Sequence, residues 1–261
     1  MKQTVTTITK AKGVKKLTIL TAYDALFAKL FDTEVDMILV GDSLNMSFAG
    51  QPDTLSIGME QMLYHTKAVC TGAPNTFVIC DMPFGTYVNE MTALKNAINV
   101  YHKTNADAVK IEGGKEKANI VKYLVQNSIA VVGHIGLLPQ NVRAEGGYKI
   151  KGKDENNIQN LILDAKAVEA AGAFLLIVEG VKPAAAKAIT QNVNIPVIGI
   201  GAGVNTDGQV LVWSDMLGFF DEFKPKFVRQ YLDGATLVKH SVKEFVRDVQ
   251  NGSFPSSNES Y

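Results

Sequence analysis

The chain has little cysteine, no surplus of either charge and no long apolar run. Its two cysteines have neither a CxxC spacing nor a neighbouring cysteine–histidine cluster, which argues against a disulfide framework and against a zinc site. Basic and acidic residues number 26 each, so no basic surplus favours binding to a nucleic-acid backbone. The predicted partners are therefore small-molecule substrates, with no nucleic acid.

Membrane insertion and export are also disfavoured. Apolar runs such as residues 129–132 and 174–178 are far shorter than the ~20 residues that cross a bilayer. The lysine-rich start lacks the apolar core and the small-residue cleavage site of a signal peptide. Together with the scarcity of cysteine, these features predict a cytoplasmic protein that does not associate with a membrane.

What the chain does contain is a repeated alternation of short apolar runs and segments with helical spacing. Its 261 residues lie close to the roughly 250 that a (β/α)₈ barrel needs, and about eight strand–helix units can be counted. We predict an α/β fold, a single (β/α)₈ TIM barrel over residues 1–261. Its polar tail, residues 252–261, is predicted to be disordered. A doubly wound open sheet is the alternative.

Three segments of this pattern carry specific expectations. Residues 17–23 predict the first strand and residues 209–213 the last, and a closing helix is expected at 235–249. Residues 139–156 are polar and predict a long loop, which can serve as a lid or a binding loop.

Titratable residues follow five consecutive predicted strands. They are Asp42, Asp81, Glu112, His134 and Glu179. One acid in such a place is more often an N-cap or a turn residue. Because the carboxyl ends of parallel barrel strands meet on one face, five together predict a shared active site.

The segment 108–114 places two charges inside a predicted strand. Lys110 and Glu112 are two residues apart, so their side chains share one face. Charged side chains are rarely buried unless they have an oppositely charged partner or a functional role. A cluster of carboxylates with one lysine and no cysteine ligand suits Mg²⁺ better than zinc. Such an ion can hold a 2-oxo acid and act as a Lewis acid while a further carboxylate removes a proton.

Several motifs resemble those of the ketopantoate hydroxymethyltransferase family, in the family's order and over nearly the whole chain. They are Leu-Thr-Ala-Tyr-Asp (20–24), Val-Gly-Asp-Ser-Leu (40–44), Val-Lys-Ile-Glu-Gly-Gly (109–114), Gly-His-Ile-Gly-Leu (133–137), Gly-Gly-Tyr-Lys (146–149), Pro-Val-Ile-Gly-Ile-Gly-Ala-Gly (196–203), Asp-Gly-Gln-Val-Leu-Val (207–212) and Pro-Lys-Phe-Val (225–228). The resemblance implies transfer of a hydroxymethyl group from 5,10-methylenetetrahydrofolate to 3-methyl-2-oxobutanoate. The product is ketopantoate, on the route to pantothenate and coenzyme A. It also implies a TIM barrel of the phosphoenolpyruvate/pyruvate type and a decameric homo-oligomer.

The resemblance assigns a metal and substrate site by motif. Asp42 matches a metal ligand that also lies against the substrate, and Ser43 beside it matches a substrate contact. Asp81 matches the second aspartate of the metal site, again next to the substrate. Glu112 matches a glutamate placed at the metal. The implied ion is Mg²⁺.

Three further roles come from the same motifs. Lys110 matches the lysine that pairs with the substrate carboxylate, and Glu179 the proton acceptor. His134 matches a supporting hydrogen-bonding residue. Lys110 and Glu112 are therefore expected to serve different roles rather than to form a salt bridge. No motif identifies the residues that hold the folate.

The sequence departs from the family pattern at Asn45, Leu138, Gly180 and Lys182, which leaves the shape of the pocket near Glu179 open. Two other functions share this layout. A Mg²⁺-dependent lyase or mutase of the phosphoenolpyruvate/isocitrate lyase type is one, although its cysteine-containing loop is missing from the sequence. A non-catalytic barrel that binds a 2-oxo acid is the other. Dinucleotide binding at residues 201–203 is disfavoured because the GxGxxG spacing is absent.

Overall fold

Eight parallel strands form a closed barrel in the computed structural model, which describes residues 2–220 and 225–261. The strands are β1 (Leu17–Thr21), β2 (Met37–Val40), β3 (Phe77–Asp81), β4 (Ala108–Glu112), β5 (Val131–Gly136), β6 (Leu175–Glu179), β7 (Val197–Ile200) and β8 (Gly208–Leu211). They pair in chain order, and β8 pairs with β1. The predicted TIM barrel is confirmed, and the open sheet is excluded.

Helices connect the strands. They are α1 (Val5–Thr9), α2 (Ala25–Phe31), α3 (Leu44–Ser47), α4 (Met59–Gly72), α5 (Glu90–Lys103), α6 (Ala118–Gln126), α7 (Val142–Glu145), α8 (Glu155–Ala170), α9 (Pro183–Asn192), α10 (Trp213–Met216) and α11 (Gly234–Gln250). Short 3₁₀ turns occur at Lys115–Lys117, Pro139–Asn141 and Ser257–Glu259. In the described ranges, no helix has both the length and the apolarity needed to cross a membrane.

The barrel interior is filled by every second residue of its strands. Phe77 and Ile79 of β3 and Leu175 and Ile177 of β6 belong to one buried core cluster. Ile8 of α1 is fully buried in the same cluster. Because side chains alternate along a strand, any residue in step with these core positions also points inward.

The chain divides into two compact units, Met1–Val212 and Trp213–Tyr261. The first contains the barrel. Within the second, the Trp213 and Phe219 rings lie 5.5 Å apart and the Phe245 and Phe254 rings 5.6 Å apart. A single domain over residues 1–261, and disorder of residues 252–261, stay predictions.

The predicted last strand at 209–213 is confirmed, but its predicted end is wrong. Strand β8 runs from Gly208 to Leu211, and Trp213 already begins α10. A strand extends only as far as its neighbours can pair with it, and the last pair with β1 is Leu20 with Leu211. The predicted loop at 139–156 is also not structureless, because it contains a 3₁₀ turn and α7.

Candidate active site

The strand register brings the predicted site residues to the carboxyl-terminal face of the barrel. Asp81 on β3 is the register partner of Lys110 on β4, and Glu112 is the partner of His134 on β5. Glu179 ends β6. All are in step with the inward core positions of their own strands. We call Asp42, Asp81, Lys110, Glu112, His134 and Glu179 the charged cluster.

Asp42 and Asp81 lie side by side. The backbone N–H of Asp42 donates to Asp81 Oδ2 at 3.0 Å. Gly41 leaves room for the Ser43 side chain, because a Cβ at 41 would lie 2.8 Å from Ser43 Oγ. The Ser43 hydroxyl is 2.8 Å from the Tyr23 hydroxyl, which holds it at the edge of the pair.

Lys110 lies between two carboxylates. Its Nζ is 3.2 Å from Asp81 Oδ1 and 3.7 Å from Glu112 Oε1, and all three side chains are buried. The expectation that Lys110 and Glu112 do not form a salt bridge is therefore wrong in this structure. The side chains meet because they share a strand face at the spacing of two residues. Separate roles for the two residues stay a prediction.

His134 connects the buried part of the cluster to Glu179. Its Nδ1 lies 3.4 Å from Glu112 Oε1, and its Nε2 lies 3.3 Å from Glu179 Oε2. Burial and the Lys110 ammonium lower the pKa of His134. Hydrogen bonding to Glu112 and Glu179 outweighs both effects and raises that pKa to about 9. Lys110 Nζ also lies 3.2 Å from His134 Nδ1, so this nitrogen faces both the ammonium and Glu112. Within the described residues, Nε2 makes no hydrogen bond of good geometry and contacts Glu179 as an ion pair.

Gln140 is a buried residue of this site that was not predicted. Its backbone N–H donates to Glu112 Oε2 at 3.1 Å, and its Nε2 donates to Asp42 Oδ2 at 2.8 Å. Its Oε1 accepts from the Tyr87 hydroxyl. One loop residue thus connects a carboxylate of β4 with a carboxylate that follows β2. The Pro-Gln step in the loop after β5 was the available signal, but nothing in the sequence places it over the cluster.

Negative charge dominates the buried part of the cluster. Burial, together with the charges of Asp81 and Glu112, raises the pKa of Asp42 well above its usual range, and burial also raises that of Asp81. Burial raises the pKa of Glu112 as well, but hydrogen bonding to His134 and the charge of Lys110 outweigh it, so this pKa is lowered. Attraction to the carboxylates likewise outweighs burial at Lys110 and raises its pKa.

A divalent cation fits this arrangement. Asp81 Oδ1 accepts no well-directed hydrogen bond within the described residues, although Lys110 Nζ lies 3.2 Å away. The three buried carboxylates of Asp42, Asp81 and Glu112 outnumber the two cations of Lys110 and protonated His134 by one if all are ionised. Within the described ranges, no three His, Cys, Asp or Glu side chains form a ready ligand set. Mg²⁺ is commonly held by one or two carboxylates, with water and substrate supplying the rest. The geometry therefore fits the Asp42–Asp81 pair as ligands, and Glu112 as a further candidate.

Gln140→Ala is expected to weaken Mg²⁺ binding by roughly tenfold or more, because the carboxylate of Asp42 loses its hydrogen-bonded support. The measurement is a calorimetric Mg²⁺ titration of the variant and the wild type, with urea unfolding as a check on the fold. Gln159→Ala, on the exposed side of α8, is the matched control. Equal affinity in the Gln140 variant and the wild type would show that this contact does not support the ligands.

Two departures from the family pattern have local explanations. Asn45 Nδ2 donates to Asp53 O at 2.7 Å and to Ser56 Oγ at 2.9 Å, so it fixes the loop after α3. Gly180 follows Glu179 with φ +54°, and a Cβ there would lie 2.9 Å from Leu137 Cβ. Glycine at 180 therefore suits the turn that ends β6.

The other two departures lie outside the buried cluster. Leu138 precedes the 3₁₀ turn at Pro139–Asn141 and lines a cleft beside Gln140. Lys182 is the N-cap residue of α9, where Pro183 occupies the first turn. Neither removes a titratable group of the cluster.

The fold and site define a (β/α)₈-barrel protein with a carboxylate-rich carboxyl-terminal face. Solved structures with this fold include phosphonopyruvate hydrolase, with a TM-score of 0.64 and 14% identity over 98% of this chain and 93% of that one. Another is 2,3-dimethylmalate lyase, a member of the PEP mutase/isocitrate lyase superfamily, with a TM-score of 0.61 and 14% identity over 97% of this chain and 89% of that one. At such identities the likeness concerns the fold.

Sequence comparison identifies the family. The profile of ketopantoate hydroxymethyltransferase matches residues 2–257. The 3-methyl-2-oxobutanoate hydroxymethyltransferase of Aliarcobacter butzleri is 67% identical over 100% of this chain and 97% of its own length. The enzyme of the same name from Nitratiruptor sp. is 62% identical over 100% of this chain and 99% of its own. The chain belongs to the ketopantoate hydroxymethyltransferase family and is an enzyme.

Proposed function

We propose that this enzyme transfers a hydroxymethyl group from 5,10-methylenetetrahydrofolate to 3-methyl-2-oxobutanoate. The product is 2-dehydropantoate (ketopantoate), a precursor in pantothenate and coenzyme A biosynthesis. The observation that carries the proposal is the link from partly exposed Glu179, through His134, to a buried group of carboxylates around one lysine. Relatives that match the full chain bear the name of this activity.

A cation site is part of the proposal. Asp42 and Asp81 would hold Mg²⁺, with Glu112 beside them, since the buried carboxylates lack sufficient positive charge of their own. When bound, Mg²⁺ supplies Lewis-acid polarisation of a 2-oxo carboxylate. One structural neighbour, phosphonopyruvate hydrolase, has been solved with oxalate and Mg²⁺.

The other side chains of the site have separate roles in substrate binding and proton transfer. Lys110 offsets the substrate carboxylate, and Ser43 contacts the substrate at the edge of the cluster. Glu179 removes the proton from C3. Its side chain is 23% exposed, whereas Glu112 is only 3% exposed, so Glu179 is the carboxylate that a substrate at the barrel mouth can reach. His134 orients that carboxylate and holds it in place.

The overall reaction balances with one water molecule. Glu179 takes the C3 proton, and C3 forms a bond to the carbon that the folate carries. Both bonds from that carbon to folate nitrogens break, and water supplies the oxygen of the new hydroxymethyl group. Tetrahydrofolate and ketopantoate are released.

The direct test is an assay of the purified protein with Mg²⁺, 3-methyl-2-oxobutanoate and methylenetetrahydrofolate, followed for ketopantoate. Folate-dependent formation of ketopantoate supports the proposal. Tight metal-dependent binding of the 2-oxo acid without turnover would instead indicate a non-catalytic barrel. Folate-independent cleavage of a carbon–carbon bond would indicate a lyase.

We also propose that the enzyme assembles as a homodecamer, on the strength of the family resemblance, and acts in the cytoplasm, on the strength of its scarcity of cysteine. Light scattering after size-exclusion chromatography tests the assembly. A monomeric mass at micromolar concentration would contradict it.

A further inference from the structure

A cleft of ≈ 140 Å³ lies beside the charged cluster, on the same barrel face. It is enclosed by the loops that follow three consecutive strands, β3, β4 and β5. Glu112 of the cluster and Gln140, which hydrogen-bonds to the cluster, form part of its lining. Its other lining residues are Phe84, Gly85, Tyr87, Val88, Glu116, Lys117, Leu138 and Asn141.

The walls of this cleft are apolar and partly preformed. Phe84 and Val88 remain 54% and 65% exposed, which leaves an apolar surface at the mouth of a polar site. The Tyr87 ring is buried and fixed at its hydroxyl by Gln140, while the Lys117 ammonium lies 5.4 Å from the ring centroid. A flat ligand would therefore meet an ordered aromatic wall.

We propose that this cleft binds the pterin of the folate co-substrate, an inference that rests on the function proposed above. A one-carbon donor must lie next to the cluster, and this cleft adjoins it at Glu112. A second cleft, of ≈ 550 Å³ next to α3 and α4, is larger but contains no member of the cluster.

The polar groups of the cleft match the ligand chemistry. The amino-pyrimidine edge of a pterin presents parallel N–H donors, which a carboxylate accepts well. Glu116 offers such a carboxylate, and it is held in place because its Oε1 accepts from the Gly114 N–H at 3.0 Å. The Lys117 ammonium also lines the cleft and can pair with a carboxylate of the anionic glutamyl tail.

Phe84→Ala and Glu116→Gln test the proposal. We expect the KM for methylenetetrahydrofolate, and the Kd for tetrahydrofolate from a fluorescence titration, to rise about tenfold in each variant. Met91→Ala is the control, since Met91 is 66% exposed on α5 and does not line the cleft. In Met91→Ala, the KM for methylenetetrahydrofolate and the Kd for tetrahydrofolate should both equal the wild-type values.

A second measurement separates this proposal from the proposed function. Exchange of the C3 proton of 3-methyl-2-oxobutanoate with solvent needs the cluster and no folate. If the wild type shows no exchange and forms no ketopantoate, the proposed function fails, and the Kd for tetrahydrofolate still tests the cleft. Unchanged folate constants in both Phe84→Ala and Glu116→Gln would overturn the cleft as the pterin site.

Discussion

Glu179→Gln is expected to slow exchange of the C3 proton of 3-methyl-2-oxobutanoate with solvent by roughly 10²–10⁴. An amide has nearly the size of the carboxylate but cannot accept the proton. Glu179 is suited to be the base because it ends β6, lies 3.3 Å from His134 Nε2 and is the carboxylate of the cluster that remains partly exposed.

The exchange is followed by proton NMR in deuterated buffer, with Mg²⁺ present and no folate. Mg²⁺ affinity should stay near the wild-type value, because Glu179 is not a proposed metal ligand. Glu155→Gln, on the exposed first turn of α8, is the matched control and should exchange at the wild-type rate. Unchanged exchange in Glu179→Gln would eliminate Glu179 as the base.

The positions of the charged residues could be predicted because two rules agree, the position at the end of a strand and the alternation of side chains along it. Asp81, Glu112 and Glu179 are the final residues of their strands, so the parallel arrangement alone brings them to one face. The alternation along each strand then turns them inward with the core residues. Both rules act within single short segments, which the sequence displays directly.

These rules could not predict the contacts between loop residues and the charged cluster. Gln140 lies on a 3₁₀ turn within a segment predicted to be a loop, and its partners Asp42 and Tyr87 are 98 and 53 residues away in the chain. No periodicity relates such positions. For the same reason the cleft beside Glu112 could not be predicted, since three separate loops create it.

Ion pairing within the cluster depends on register. Lys110 contacts Asp81 because β3 and β4 are aligned with those two residues as partners. A shift of one residue would turn one of the two side chains out of the barrel. The sequence indicates that Lys110 and Glu112 share a face, but it does not give the register that brings Asp81 to them.

Removing the Lys110 ammonium is expected to have large effects on both stability and substrate binding. Lys110→Ala leaves Asp81 and Glu112 buried without their cation, which should lower the free energy of unfolding by about 3–5 kcal/mol. The affinity for the 2-oxo acid should fall because its carboxylate loses the opposing charge. Mg²⁺ affinity should be retained or increased, since the site becomes more negative.

Glu112→Ala should have the opposite effects on the affinities for Mg²⁺ and for the 2-oxo acid. It removes one negative charge beside Asp42 and Asp81, so Mg²⁺ affinity should fall, while Lys110 remains to pair with the substrate carboxylate. Urea unfolding, Mg²⁺ calorimetry and the KM for 3-methyl-2-oxobutanoate measure the three quantities separately. The double variant restores part of the charge balance and should lose less stability than the sum of the two single losses.

The salt bridge between the two residues makes this comparison decisive. If Lys110 and Glu112 served only to neutralise each other, either substitution would reduce stability and change metal and substrate affinity by similar factors in opposite directions, through the altered field alone. A much larger change in one affinity than in the other requires that the substituted residue contacts that ligand. The 3.7 Å contact between Lys110 Nζ and Glu112 Oε1, longer than the 3.2 Å contact between Lys110 Nζ and Asp81 Oδ1, leaves room for both roles.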